Sequence, residues 1–318
     1  MYKFLKNTQK FNRSFSTFKK SIEKSIKSRE KIGIAPEILN YNEVENLIKE
    51  LKLPRQLKIQ EVYDNSKEKF LLEQFKGRIS PGVDNTSRLK ANFLYDIASD
   101  KVNSPLINKF EAIKILGTMQ GGYSIEALVN LLDTEVAEQV SHELKSNILI
   151  FDYFYNIEEK SKNGNKFATD ILNSWANAEW FTKNSKVPEK ITLTCFKVTG
   201  EINTDDLSPA QDAWSRPDIP LHAQSMLKVP RDGIEPDNPH EIGPIKTINW
   251  LKQKGNPIAF VGDVVGTGSS RKSATNSILW HFGKDIPFVP NKKNGGFCFG
   301  EKIAPIFFNT MEDSGALP

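Results

Sequence analysis

Cysteine is nearly absent from this chain. Two occur in 318 residues, Cys195 and Cys298, far apart and outside any Cys-x-x-Cys pair. That excludes a disulfide framework and a local zinc site. It also leaves too few thiolates for an iron–sulfur cluster, which normally takes three or four. Histidine is scarce as well: His142, His222, His240 and His281 have no ligand spacing and read as surface or packed residues. No apolar run approaches the roughly 20 residues of a membrane-spanning helix, and Ile148-Leu-Ile-Phe151 is short and flanked by charge. Acid is missing from the first 22 residues. That segment carries Lys3, Lys6, Lys10, Arg13, Lys19 and Lys20, with Ser14, Ser16 and Thr17, and interleaves Phe4, Leu5, Phe11, Phe15 and Phe18. A basic, hydroxyl-rich, acid-free amphipathic start is the composition of a mitochondrial targeting peptide. Residues 1–29 are therefore expected to be a leader, with the mitochondrial matrix as destination. The rival is a basic tail for nucleic acid or anionic lipid.

What is present is ordinary for a globular protein: 38% hydrophobic and 26% charged residues with a net charge of +4. The length allows two domains with cores of their own. The first part has helical grammar. Helices are predicted over 41–53, 66–75, 86–99, 108–116, 124–132, 134–154 and 165–181, with a loop over 54–65 and a tight turn at Gln120-Gly-Gly-Tyr123. Short connections between them suggest an all-helical bundle or short solenoid. Trp175 and Trp180, five apart, read as packing anchors. The grammar changes near Pro188, where Ile191-Thr-Leu-Thr-Cys-Phe-Lys-Val198 alternates with period two. Strands are predicted near 191–198, 257–262, 286–289 and 303–308, with helices near 221–228, 244–254 and 273–283. The domain boundary is placed at 187.

The densest chemistry lies in Gly266-Thr-Gly-Ser-Ser-Arg271. It follows the apolar run Pro257-Ile-Ala-Phe-Val261 and precedes a helix. Glycines let the backbone approach a ligand. The first amides of a helix favour an anion. Ser269 and Ser270 add hydroxyls, and Arg271 adds a planar fork suited to a carboxylate. The dinucleotide fingerprint fails on glycine spacing, and the phosphate loop fails for want of a terminal Gly-Lys-Ser/Thr. A glycine turn with a serine helix cap accounts for these residues equally well.

A second segment tips that balance. Val198-Thr-Gly-Glu-Ile-Asn-Thr-Asp-Asp-Leu-Ser-Pro-Ala210 leads into Asp212-Ala-Trp-Ser-Arg-Pro-Asp-Ile-Pro-Leu-His222. Together with the Ser-Ser-Arg turn it resembles the swivel domain of aconitases, in the arrangement of the bacterial B type. Gly33-Ile-Ala-Pro36, Ile79-Ser-Pro-Gly-Val-Asp84, Leu116-Gly-Thr-Met-Gln-Gly-Gly-Tyr123, Trp175-Ala-Asn-Ala-Glu-Trp180 and Lys302-Ile-Ala-Pro-Ile-Phe-Phe-Asn-Thr-Met-Glu-Asp313 extend the likeness over residues 30–318. The resemblance implies an α + α/β fold. A helical HEAT-like domain spans 30–187, and an α/β swivel domain spans 188–318, expected to stop short of its usual end and to leave an unpaired strand edge.

The resemblance implies aconitate hydratase chemistry on tricarboxylates: citrate, isocitrate and cis-aconitate. Ser269 matches the catalytic base, while Ser270, Arg271 and Arg216 match substrate-binding positions. Asp205 matches a supporting active-site aspartate. The complete enzyme carries a [4Fe–4S] cluster, whose cysteines lie in domains beyond this sequence. A companion chain bearing those domains is the implied partner. Self-association through the helical domain, RNA binding or an inactive remnant are the non-catalytic alternatives.

Overall fold

The computed structural model describes residues 18–53, 66–119, 121–148, 153–183 and 188–318. The fold is an all-helical unit followed by an α/β unit. One compact unit lies within residues 1–28, 38–186 and 287–290, and the other within 29–37, 187–286 and 291–318. The predicted loop over 54–65 and Gln120 of the predicted turn lie outside the described residues.

The helical unit opens with a helix over 18–30 (α1), followed by α2 (Tyr41–Leu51), α3 (Ser66–Gly77), α4 (Asn85–Ala98), α5 (Lys109–Thr118), α6 (Gly122–Leu131), α7 (Ala137–Ser146), α8 (Phe154–Lys162), α9 (Lys166–Ala176) and α10 (Glu179–Thr182). Side chains set several starts. Asn40 and Glu43 close a capping box on α2, and Asp84, Asn108 and Asn165 cap α4, α5 and α9. Each cap satisfies amides the helix itself leaves unpaired. Val44, Leu47, Ile48 and Leu51 form the buried stripe of α2.

Several expectations change here. Ile22 is fully buried in the helical core, with Phe18 and Ile26 packed against it, so the leader read over 1–29 overlaps folded structure. Arg29 joins the second unit: its guanidinium grips both carboxylate oxygens of Asp218 at 2.5 and 2.9 Å. The helix predicted over 134–154 is α7, which ends at Ser146; residues 147 and 148 are not helical, 149–152 lie outside the described residues, and α8 begins only at Phe154. The one predicted over 165–181 breaks at Ala178, whose φ is +50°. Trp175 is half-buried and its indole donates to the Leu144 carbonyl at 3.2 Å, but Trp180 is exposed and anchors no core.

Lys90 of α4 is fully buried, and its ammonium has no hydrogen-bond partner among the described residues. It lies 5.6 Å from the Phe75 ring centroid. Burial lowers its pKa to about 8. The unfolded chain therefore holds this proton more tightly than the folded one between pH 8 and about 10.5. Stability should rise with pH across that window, and the penalty, roughly 3 kcal/mol, should be fully present below it. Lys90→Met is expected to raise stability at pH 7 by about 1–3 kcal/mol and to flatten this contribution. Urea unfolding of wild type and variant at pH 7 and 9.5 checks it; the difference between them removes Lys252, which titrates in the same window.

The α/β unit is built on a parallel sheet of order β1-β2-β5, from β1 (Thr194–Asn203), β2 (Ile258–Thr267) and β5 (Phe297–Ile303). The two-residue strands β3 (Lys284–Asp285) and β4 (Lys293–Asn294) form a separate antiparallel pair. Short helices α11 (Thr204–Leu207) and α12 (Ile219–His222) follow β1. Next in the chain come α13 (Ile245–Lys252), α14 (Arg271–Phe282) after β2, and α15 (Pro305–Asp313) after β5. β2 is central and mostly buried, as a strand covered on both faces must be. Phe196, Phe260 and Phe282 meet with ring centroids 5.6–6.2 Å apart, and Phe307 and Met311 of α15 complete the core.

Residues 286–289, predicted as a strand, form a turn, and of the strand predicted over 303–308 only Ile303 lies in a strand, the end of β5, while 305–308 start α15. Pro305 explains the second difference: at the first helical position it loses no bond and its fixed φ suits the helix. The expected open edge is in part covered. Leu317 pairs with Phe297, with the Cys298 amide donating to Leu317 at 2.9 Å and the Leu317 amide to Gly296 at 2.8 Å.

Candidate functional site

The site is built where β1 and β2 end. Two irregularities shape the chain there. The pairing of β1 and β2 skips a residue between Ile202–Val265 and Asn203–Thr267. The extra residue is Gly266, with φ +82°, a bulge that turns β2 away from its partner. Gly268, with φ +107°, turns it again: a Cβ there would sit 2.5 Å from Thr204 Oγ1. Thr204 in turn accepts from the Ser270 amide at 3.2 Å. The chain between β2 and α14 is thus pinned against the start of α11.

Ser269 is exposed, while Ser270 and Arg271 are half-buried. The Arg271 amide donates to the Ser269 carbonyl at 2.9 Å and the Ala274 amide to Ser270 at 3.0 Å. The Lys272 and Ser273 amides have no acceptor among the described residues. Arg216 arrives from the 3-10 turn Ala210–Ser215. Its Nη2 donates to Ser270 Oγ at 3.0 Å and to the Ser208 carbonyl at 3.3 Å, and its buried Nε has no partner. That turn is held by Asp212, paired with buried Lys228 at 2.6 Å. The Arg271 guanidinium makes no hydrogen bond or ion pair among the described residues. The structure thus brings Arg216 to Ser270 across 54 residues of sequence; Arg271 follows Ser270 in the chain, and Ser269 is exposed. Asp205 is exposed beside Thr204, and its carboxylate bonds to none of them.

Guanidinium groups, free helix amides and hydroxyls are the group types that suit a carboxylate or phosphate. The bond network also contains residues that sequence reasoning left unassigned. His222 is buried, with Nε2 2.7 Å from Ser208 Oγ and Nδ1 2.8 Å from Ser215 Oγ. Ser208 Oγ reaches Ser273 Oγ at 2.7 Å. Burial, then the Arg216 charge, pushes the His222 pKa down. Asp263 is structural: hydrogen bonds from Lys197 and the Gly200 amide hold its carboxyl below the ordinary range and fix a second irregularity of β1.

Two family models match the chain. The one described as "Aconitate B N-terminal domain" matches residues 21–181, and "Aconitate hydratase 2 N-terminus" matches residues 193–318. The chain belongs to the aconitate hydratase B family. It is 56% identical to aconitate hydratase B of Pseudomonas aeruginosa over 296 residues, 93% of this chain and 33% of the relative. To the Escherichia coli protein of that name it is 55% identical over the same length, with the same coverage. To the Helicobacter pylori protein it is 46% identical over 304 residues, 95% of this chain and 33% of the relative. The chain thus spans about a third of the length of the curated aconitate hydratases it matches.

The family match corrects one expectation. The mitochondrial matrix, read from the basic start, is overturned: the matched aconitate hydratases are bacterial, and bacteria have no mitochondria. The match over 21–181 also includes part of the supposed leader. Residues 1–17 lie outside the described structure.

The family's iron–sulfur cluster does not fit this chain's thiols. Cys195 and Cys298 sit on β1 and β5, with β2 between them, and the Cys298 thiol is buried with its pKa raised to about 12. No group of three or more His, Cys, Asp or Glu among the described residues could hold a metal ion.

Proposed function

We propose that the turn between β2 and α14 is the tricarboxylate-binding half of an aconitate hydratase site. Arg271 and Arg216 receive carboxylates of citrate, isocitrate or cis-aconitate, and Ser270 orients the substrate. Ser269 is the base that takes the substrate's proton. A serine hydroxyl is a poor base at its free pKa, and the neighbouring helix amides and Arg271 favour its alkoxide. Asp205 is assigned a supporting role at the edge of the turn. Hydroxyl departure needs the family's cluster. We assign that group to a polypeptide region or companion chain bearing the remaining domains.

The observation that carries this reading is the Arg216–Ser270 hydrogen bond, which adds a second arginine to the Ser-Ser-Arg turn. Calorimetric titration of the full chain with citrate and isocitrate tests it. Saturable binding that weakens with added salt is expected, because screening acts on exposed charge pairs. A folded chain that takes up neither ligand would overturn it. Binding to RNA with a steep salt dependence, and none to citrate, would favour the nucleic-acid alternative.

A further inference from the structure

His222 has no role in the half-site described above, yet it is buried and bonded at both ring nitrogens. The Ser215 hydroxyl spends its proton on the Asp212 carbonyl at 2.7 Å. Its oxygen is therefore the acceptor for Nδ1–H at 2.8 Å. On the other side a chain runs from Nε2 to Ser208 Oγ, then to Ser273 Oγ, then to the Ser270 carbonyl, at 2.7, 2.7 and 3.1 Å. The three hydroxyls bring three protons to these five contacts, so all five form together only when both ring nitrogens are protonated.

With a neutral ring that carries its proton on Nδ1, Ser208 donates its hydroxyl to Nε2. Ser273 then has one proton and two acceptors, Ser208 Oγ and the Ser270 carbonyl. Protonation at Nε2 reverses Ser208 and releases the Ser273 proton to the Ser270 carbonyl. That carbonyl also accepts from the Ala274 amide at 3.0 Å, and its peptide carries the Arg271 nitrogen. We propose that His222 is a positioning residue for the turn. Through Ser208 and Ser273 its ring proton sets the hydrogen bonding of the Ser270 carbonyl, and with it the aim of Ser270 and Arg271. The last step rests on the tricarboxylate reading; the hydroxyl relay does not.

The charged groups around the ring work against one another. Arg216 and Lys228 oppose its protonation, while Asp212 and its carbonyl favour it. Asp218, at the start of α12, is neutralised by Arg29. Packed α14 presents Ser273, a neutral group, and buried His281, whose Nε2 lies 2.8 Å from the Ala223 carbonyl and whose pKa burial lowers to about 4.

Nuclear magnetic resonance of the full chain without ligand tests the relay. The Arg271 amide nitrogen reports on hydrogen bonding at the Ser270 carbonyl, and the His222 ring nitrogens report protonation directly. The Arg271 amide is expected to shift with the same midpoint as the His222 ring. In Ser273→Ala that shift should be lost while His222 still titrates. In His222→Gln, whose amide bonds without titrating, the Arg271 amide should not respond. An Arg271 shift that survives Ser273→Ala overturns the proposal. So does an Arg271 amide that ignores His222, or a ring that stays neutral until acid unfolds the chain. Citrate titration then separates the two readings. Citrate binding with no relay sinks this proposal alone, whereas a relay without citrate binding sinks the tricarboxylate reading and leaves the relay standing.

Discussion

Arg271→Ala is expected to weaken citrate binding about 10- to 100-fold. Charge-assisted hydrogen bonds contribute roughly 1.5–3 kcal/mol each, and every 1.4 kcal/mol or so is tenfold in affinity. The guanidinium of Arg271 is uncommitted, so nothing else in the fold relies on it. Alanine at the first position of α14 keeps helix propensity, and the Ser270 side chain, which accepts from Arg216 rather than capping the helix, is untouched. The variant should therefore unfold at the wild-type temperature while losing its ligand. Ser269→Ala is the informative contrast. A base acts on the transition state, so its removal should leave citrate affinity within about threefold. Calorimetry on both variants checks the pair. Equal loss in both, or loss in neither, would contradict the division of labour between the two side chains.

Gly266→Ala is expected to destabilise the α/β unit by about 2–5 kcal/mol. A Cβ at this position would fall 2.2 Å from Phe307 Cγ and 2.6 Å from Phe307 Cβ. Phe307 is fully buried in the core, so it has no space to retreat into. Forced overpacking costs about 1–3 kcal/mol. The positive φ adds about 1–2 kcal/mol for any residue with a side chain. Such a loss is a large part of a domain's margin of roughly 5–15 kcal/mol. It should be seen as an early urea transition by tryptophan fluorescence, since Trp250 and Trp280 report on this unit. Citrate binding should fail as well, because the bulge at Gly266 aims the turn. A variant as stable as wild type would show that α15 shifts freely and that the close approach to Phe307 is not a constraint.

The parts of this site differ in how readily they were legible. The glycine turn and the Ser-Ser-Arg run stand out locally, because small residues between an apolar strand and a helix have few other uses. Arg216 was one arginine among many until the resemblance singled it out. Its bond to Ser270 spans 54 positions, and no local pattern encodes that. Thr204, Ser208, Ser273 and His222 were missed for the same reason. Their chemistry arises only when α11, α12 and α14 converge, and a serine in a helix carries no mark of its partner. In the fold, capped and striped helices such as α2 were plain. Errors fell where short-range cues compete. Pro305 inside an apolar stretch concealed a helix start, and Phe297-Cys-Phe-Gly-Glu-Lys-Ile303 was missed as a strand because it is short and glycine-interrupted. The break at Ala178 depends on a left-handed backbone at an ordinary alanine, which no pattern signals.

The most direct test of the account is to map citrate on the folded chain by backbone amide shifts. The amides of Gly268 to Ser273 and the side-chain signals of Arg216 and Arg271 are expected to move together and to saturate at one dissociation constant. Saturable shifts confined elsewhere, for example to the polar cleft of about 630 Å³ lined by Asn130, Asp133, Asn156 and Lys160 in the helical unit, would contradict it.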